Sequence, residues 1–183
     1  MVKFLKKNNY LKIAATLFIF ILALPGFLSV VSPHSVAKIL PKDKSLRQVF
    51  PTAFFFRGVT ENGVVLYYKA FDRQKNMLGV VFTASKRGYS SDITTMAGMD
   101  TNGTIIRIKI LSQDETPGLG AQIVQVANGE SEPRFQRQFS GKEVSSLDHT
   151  VDAITGATIT SKAVIESIQQ KAKMILERAA HGA

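Results

Sequence analysis

A chain of 183 residues that is 45% hydrophobic can build one globular domain plus an accessory segment, and it is too apolar to stay disordered. It has no cysteine, which excludes disulfides, thiolate-held zinc, iron–sulfur clusters and thioether-bound haem, and its three histidines (His34, His149, His181) lack ligand spacing, so no metal site is expected. The formal net charge of +9 is uneven: Lys3, Lys6, Lys7 and Lys12 stand without an acid in the first 32 residues, while later bases are mixed with acids and not interleaved with aromatics, so nucleic acid is not an expected partner.

Residues 13–31, IAATLFIFILALPGFLSVV, form a run of 19 without a charge. As a helix rising 1.5 Å per residue they cover about 28 Å, close to the thickness of a bilayer's hydrocarbon layer. The lysines ahead of the run predict a cytoplasmic N-terminus. Residues 1–32 therefore read as a cytoplasmic flank and single-pass transmembrane anchor in the cell (inner) membrane, with everything after them on the extracytoplasmic, periplasmic side. A cleaved signal peptide is the competing reading. Pro25-Gly26 and the small residues Ser35-Val36-Ala37 suit it, but the run exceeds the about 7–15 residues of a signal-peptide core.

Residues 33–48 read as a polar stem leading to a short helix that stops at Val49-Phe50-Pro51, because the residue before a proline avoids the α region. The expected domain, 49–183, opens with a strand at Phe54-Phe55-Phe56. Asn62-Gly63 signals a hairpin into a second strand over 63–68. Segments 70–72 and 79–84 are split by a polar turn at 73–76, and 93–100 reads as a further strand. A turn at Thr101-Asn102-Gly103 joins it to 104–111, where Ile106, Ile108 and Ile110 alternate with Arg107, Lys109 and Leu111 as in a half-buried strand. A last helix is expected from about Thr160 to Ala180, with Val164, Ile168, Ala172, Ile175 and Ala179 on one face. The expected class is α+β: one domain with a mainly antiparallel sheet packed by helices, behind an N-terminal transmembrane helix.

Two stretches have chemistry to offer. In QDETPGLG, residues 113–120, Pro117 fixes φ while Gly118 and Gly120 permit unusual backbone shapes. Such a loop either exposes main-chain N–H groups to a planar or anionic ligand or is a simple turn. In VDAITGATITSKAV, residues 151–164, four hydroxyls (Thr155, Thr158, Thr160, Ser161) crowd a Gly156-Ala157 pair where a helix begins. A helix N-terminus suits a phosphate, and Thr158 puts a hydroxyl beside it. Helix capping by Thr160 or Ser161 uses the same residues equally well.

Asp152-Ala153-Ile154-Thr155-Gly156-Ala157-Thr158 resembles the signature of covalently flavinylated FMN-binding domains, and Glu115-Thr116-Pro117-Gly118-Leu119-Gly120 is similar to the loop beside the flavin in that family. Gly88-Tyr89-Ser90, Gly98-Met99-Asp100 and the segment from Phe135 to Phe139 follow the same pattern. Thr155 stands where serine is commoner, and residues 129–139 carry no tryptophan. The resemblance implies FMN joined through its phosphate to Thr158 by a flavin transferase that recognises Asp152, while from the residues alone Asp152 reads equally as an acid favouring the helix start. It implies a cofactor site of Gly156, Ala157, Thr155, Thr160, Glu115, Thr116, Gly118 and Leu119 around it, with no catalytic residue of its own. The order of anchor, sheet and two motifs resembles the G subunits of Rnf-type ion-translocating complexes. The C subunits of the sodium-pumping NADH:quinone reductase are the close alternative. Other extracytoplasmic flavinylated electron carriers, or a tethered domain without flavin, are the further ones. The function implied is a membrane-anchored electron carrier, one subunit of a translocase and not an independent catalyst, whose partners are the other subunits. Arg107, Lys109, Lys142 and Lys162 are candidates either for stabilising reduced flavin or for solvated surface charge.

Overall fold

The computed structural model describes residues 43–181. The expected anchor at 13–31, the alternative cleavage site at Ser35-Val36-Ala37 and the stem up to residue 42 lie outside the described residues. Among the described residues no helix is long and apolar enough to cross a membrane.

A short helix α1 (Asp43–Val49) precedes five strands, β1 (Phe55–Glu61), β2 (Val64–Phe71), β3 (Met77–Arg87), β4 (Asp92–Asp100) and β5 (Ile105–Ser112). The strands pair in chain order as an antiparallel meander, as expected from the turn signals. The β1–β2 turn has Asn62 and Gly63 at φ 50° and 77°, the left-handed pair whose twist matches that of its strands. At the β2–β3 turn the Asp72 carboxylate accepts from the Asn76 backbone N–H at 2.8 Å and from its side-chain amide at 2.9 Å. Residues 70–72 do not form a separate segment: β2 runs on to Phe71, with a register shift after Ala70.

The sheet carries a core on each face. On one, α1 supplies Leu46 and Val49, which pack with Phe50, Ala53, Ala70, Val81 and Met96. On the other lies the long helix α4 (Thr158–His181), with Val164, Ile168, Ala172 and Ile175 buried against Val80, Phe82, Ala97 and Ile108. Each buried isoleucine contributes about 1.5–3 kcal/mol. Between β5 and α4 the chain forms two 3-10 turns (Gly120–Val124 and Val144–Ser146) and two one-turn helices, α2 (Arg134–Arg137) and α3 (Leu147–Thr150). Phe135 and Phe139 meet edge to face at 5.5 Å and close this side. Buried Gln136 ties the segment to the sheet, donating to the Ile123 carbonyl at 2.9 Å and accepting from the Ile110 N–H at 3.4 Å.

Three expectations need correction. Ile106 does not share a face with Ile108 and Ile110. The register shifts between Gly98 and Met99, so Ile105, Ile108 and Ile110 face α4 while Ile106 packs toward α1. Ala179 is exposed, because α4 leaves the core after Ile175, and Arg178 reaches out to Glu61 of β1 at 3.1 Å. The helix also begins at Thr158, two residues before the expected Thr160.

Gly98 sets how closely α1 approaches the sheet. A Cβ there would lie 2.4 Å from the Val49 carbonyl oxygen, a contact that backbone must move to relieve. Gly98→Ala is expected to lower stability by about 1–3 kcal/mol, read as a lower urea midpoint with unchanged m-value. A variant as stable as the parent would show that α1 is not seated this tightly.

Candidate functional site

Glu115 follows β5, and its buried carboxylate accepts five hydrogen bonds. Oε1 takes the Ser91 N–H at 2.8 Å, the Ser90 N–H at 3.0 Å and the Ser91 hydroxyl at 3.0 Å. Oε2 takes the Thr160 hydroxyl at 2.6 Å and the Tyr89 N–H at 3.2 Å. One side chain thus joins the β3–β4 turn, the loop after β5 and the first turn of α4. Burial by itself pushes the carboxyl pKa up, but the Thr160, Ser91 and Ser90 donors outweigh it and hold the group below its ordinary value. The Glu115 oxygens thus serve the architecture of the loop and its neighbours. Thr160 is not an N-cap, since its hydroxyl is turned inward to Glu115.

Two turns flank this carboxylate. In Thr116-Pro117-Gly118-Leu119 the Leu119 N–H donates to the Thr116 carbonyl at 3.1 Å, with Gly118 at φ 76°. In Ile154-Thr155-Gly156-Ala157 the Ala157 N–H donates to the Ile154 carbonyl at 2.9 Å, with Gly156 also at φ 76°. Both are type II turns, which need glycine at the third position. They touch: a Cβ on Gly156 would lie 3.4 Å from the Leu119 side chain. The Ser161 hydroxyl stitches the second turn to α4, accepting from the Ile154 N–H and donating to the Ala157 carbonyl, each at 3.0 Å. It braces the approach to the helix and is not its N-cap.

A cavity of about 420 Å³ opens between the turns, lined by Tyr89, Glu115, Thr116, Leu119, Gly120 and residues 156–160. Its size lies within the roughly 300–1,000 Å³ of small-molecule sites. Thr158 is the first residue of α4 and is exposed, so its hydroxyl lies where the helix presents orphan N–H donors. Around it three apolar side chains stand in solvent: Tyr89 at 69% exposure, Ile159 at 57% and Leu119 at 46%. The sequence places Tyr89 in a stretch that follows the family pattern without giving it a role at the site, and it does not single out Ile159; the signal of both is exposure of bulk beside the cavity, visible only once folded.

Of the expected site residues, Gly156, Ala157, Thr158, Thr160, Glu115, Thr116 and Leu119 line this cavity, and Gly118 shapes its turn. Asp152 and Thr155 line a neighbouring open groove of about 740 Å³ with Gln122, Gln125, Arg134 and Gln138. There the Gln138 amide holds the main chain at Asp152, accepting its N–H at 2.9 Å and donating to its carbonyl at 3.3 Å. Arg107, Lys109, Lys142 and Lys162 do not line the cavity, whose one charged residue is Glu115. Lys109 instead donates to Gln48 of α1 at 2.7 Å.

An apolar slot, a helix N-terminus and an exposed hydroxyl at its first residue fit a flavin whose phosphate lies against α4. Comparison with known proteins agrees: residues 88–173 match the FMN-binding domain family. The G subunit of the ion-translocating oxidoreductase complex of Methanosarcina acetivorans is 35% identical over 138 residues, 68% of this chain and 70% of that protein. Its namesake in Buchnera aphidicola is 29% identical over 91% of this chain and 89% of that protein. NqrC of Shewanella oneidensis is a solved structure with TM-score 0.48 and 18% identity, covering 70% of this chain and 73% of that one. The chain belongs to the family of G subunits of ion-translocating oxidoreductase complexes.

Because Glu115 binds a proton less readily in the folded chain than in the unfolded one, its contribution is complete above the ordinary value of 4.5 and is lost as pH falls through the lower folded value. Glu115→Gln is expected to lower stability at pH 7 by about 1–3 kcal/mol and to flatten the acid limb below that value. Urea unfolding between pH 7 and pH 3 checks both; an equally steep acid limb in the variant would assign the pH dependence to other carboxylates.

Proposed function

We propose that this chain carries FMN esterified through its phosphate to Thr158 and relays electrons as a membrane-anchored subunit of an ion-translocating oxidoreductase complex. That it is an electron-carrier flavoprotein subunit of such a complex follows from its family. The observation that supports Thr158 as the attachment point is its position: an exposed hydroxyl at the first residue of α4, opening on the 420 Å³ cavity, while its neighbours Thr160 and Ser161 spend theirs internally.

When bound, FMN supplies the redox chemistry. The protein's residues bind and orient. The N–H groups of the first turn of α4 would hold the phosphate, whose negative charge the helix's partial positive charge favours. No acid occupies that turn to compete for it. Leu119, Ile159 and Tyr89 would offer the ring an apolar flank and keep water from it on that side. Gly156, held at φ 76°, leaves the approach to Thr158 open. Asp152 lies outside the cavity, where a flavin transferase reaches it without contacting the ring, in keeping with a role in maturation. The apolar run at 13–31 supplies the anchor, with the FMN domain on the extracytoplasmic side.

The chain coexpressed with a flavin transferase is expected to gain the mass of one FMN less one water, mapped by tandem mass spectrometry to Thr158. Thr158→Ser should keep the adduct and Thr158→Ala should lose it completely. An adduct that persists in Thr158→Ala would overturn the assignment.

A further inference from the structure

The β2–β3 turn end of the sheet, remote from the Thr158 cavity, gathers aromatic and basic side chains. Phe54 is 51% exposed, with the Arg73 guanidinium 5.2 Å from its ring centroid. Phe55 and Phe71 stack at 4.9 Å and 9°, and Arg57 lies 5.6 Å from the Phe71 ring. Arg57 and Lys69 are direct cross-strand partners, like charges side by side on one face, which is unfavourable in water. Among the described residues, no carboxylate pairs with Arg57, Lys69 or Arg73. Asp72 stands nearest in sequence, but both its oxygens are occupied by Asn76.

One exposed phenylalanine, Phe54, and a half-buried stacked pair, Phe55 and Phe71, each with a guanidinium group beside it and uncompensated positive charge between them, suit a layer that is apolar a few ångströms down and anionic at its surface. Arginine binds phosphate in a bidentate fork, and the ring beneath it enters the headgroup region. Chain length allows this contact. The charge-free run ends at Val31, and 11 residues separate it from Asp43, a tether reaching at most about 40 Å. We infer that this end of the sheet, with Phe55, Arg57, Lys69 and Phe71 on one face and the Phe54–Arg73 pair at its rim, docks on anionic phospholipid of the membrane that holds the anchor. The inference rests on the anchoring proposed above.

The absence of cysteine makes the test clean. The full chain, with a nitroxide on Met77→Cys beside the face or on Leu111→Cys at the opposite edge and end of the sheet, is reconstituted into vesicles of phosphatidylcholine alone or with phosphatidylglycerol. Power saturation is expected to show the position-77 label gaining oxygen contact several-fold over aqueous relaxant only with phosphatidylglycerol, and the position-111 label unchanged. The gain should vanish in Arg57→Gln/Lys69→Gln/Arg73→Gln and in 1 M salt. A position-77 label indifferent to lipid charge, or one shielded only when other subunits are present, would overturn the inference and in the second case give the face to a protein. Flotation with the vesicles in 1 M salt reads the anchor separately. If it fails while flotation at low salt still requires phosphatidylglycerol, the face stands and the anchor falls; if both fail, both fall.

Discussion

A carboxylate buried without partners would be expelled or protonated, so everything around Glu115 is arranged to keep it charged. Three of its donors are backbone N–H groups of consecutive residues, 89 to 91, which can converge only if the chain between β3 and β4 curls around the carboxylate. The remaining space is made by glycines. A Cβ on Gly88 would lie 2.7 Å from one Glu115 oxygen, and a Cβ on Gly120 would lie 2.7 Å from the other and from the Thr160 hydroxyl. Three segments far apart in sequence thereby acquire one fixed geometry. The cavity is the gap this geometry leaves on its outer side, so its shape follows from an ion that a ligand need not touch.

The same contact sorts the hydroxyls. Four stand within seven residues, and each of the two innermost has a structural task. Thr160 donates to Glu115, and Ser161 closes the turn at Ile154 and Ala157. Thr155 sits on the outside of that turn and faces the other groove. Thr158 is left exposed at the helix end, where the local field favours an anion. If FMN joins Thr158 as proposed, the choice of one threonine among near-identical neighbours would follow from where the turn at Gly156 hands the chain to α4.

The meander was legible because its determinants are local: Asn-Gly at a tight hairpin, alternation along the strands, and a helical apolar stripe from Val164 to Ile175. The register shift at Gly98 was not, because it depends on the tight seating of α1, whose Val49 carbonyl occupies the space a side chain would need. Within the site, the motif residues could be read directly, but the role of Glu115 could not. Its principal partners are main-chain groups 24 to 26 residues upstream, and backbone donors leave no mark in a side-chain pattern. The start of α4 was displaced by two residues for a related reason: hydroxyls at 160 and 161 look like caps, yet the turn ending at Ala157 already delivers the chain in helical register.

Among the described residues β3 is the longest strand, 11 residues, and spans about 33 Å. Its Arg87 end carries the turn that grips Glu115, and its Met77 end adjoins the arginine–phenylalanine face. A carrier must expose its cofactor to exchange electrons, and an anchored carrier must also control how it lies on its membrane. Were both surfaces at one end, lipid would compete with redox partners for the cavity mouth. A rigid strand between them, backed on both faces by a packed core, would let a domain docked as proposed rest on one end while the apolar rim of Tyr89, Leu119 and Ile159 stays open at the other.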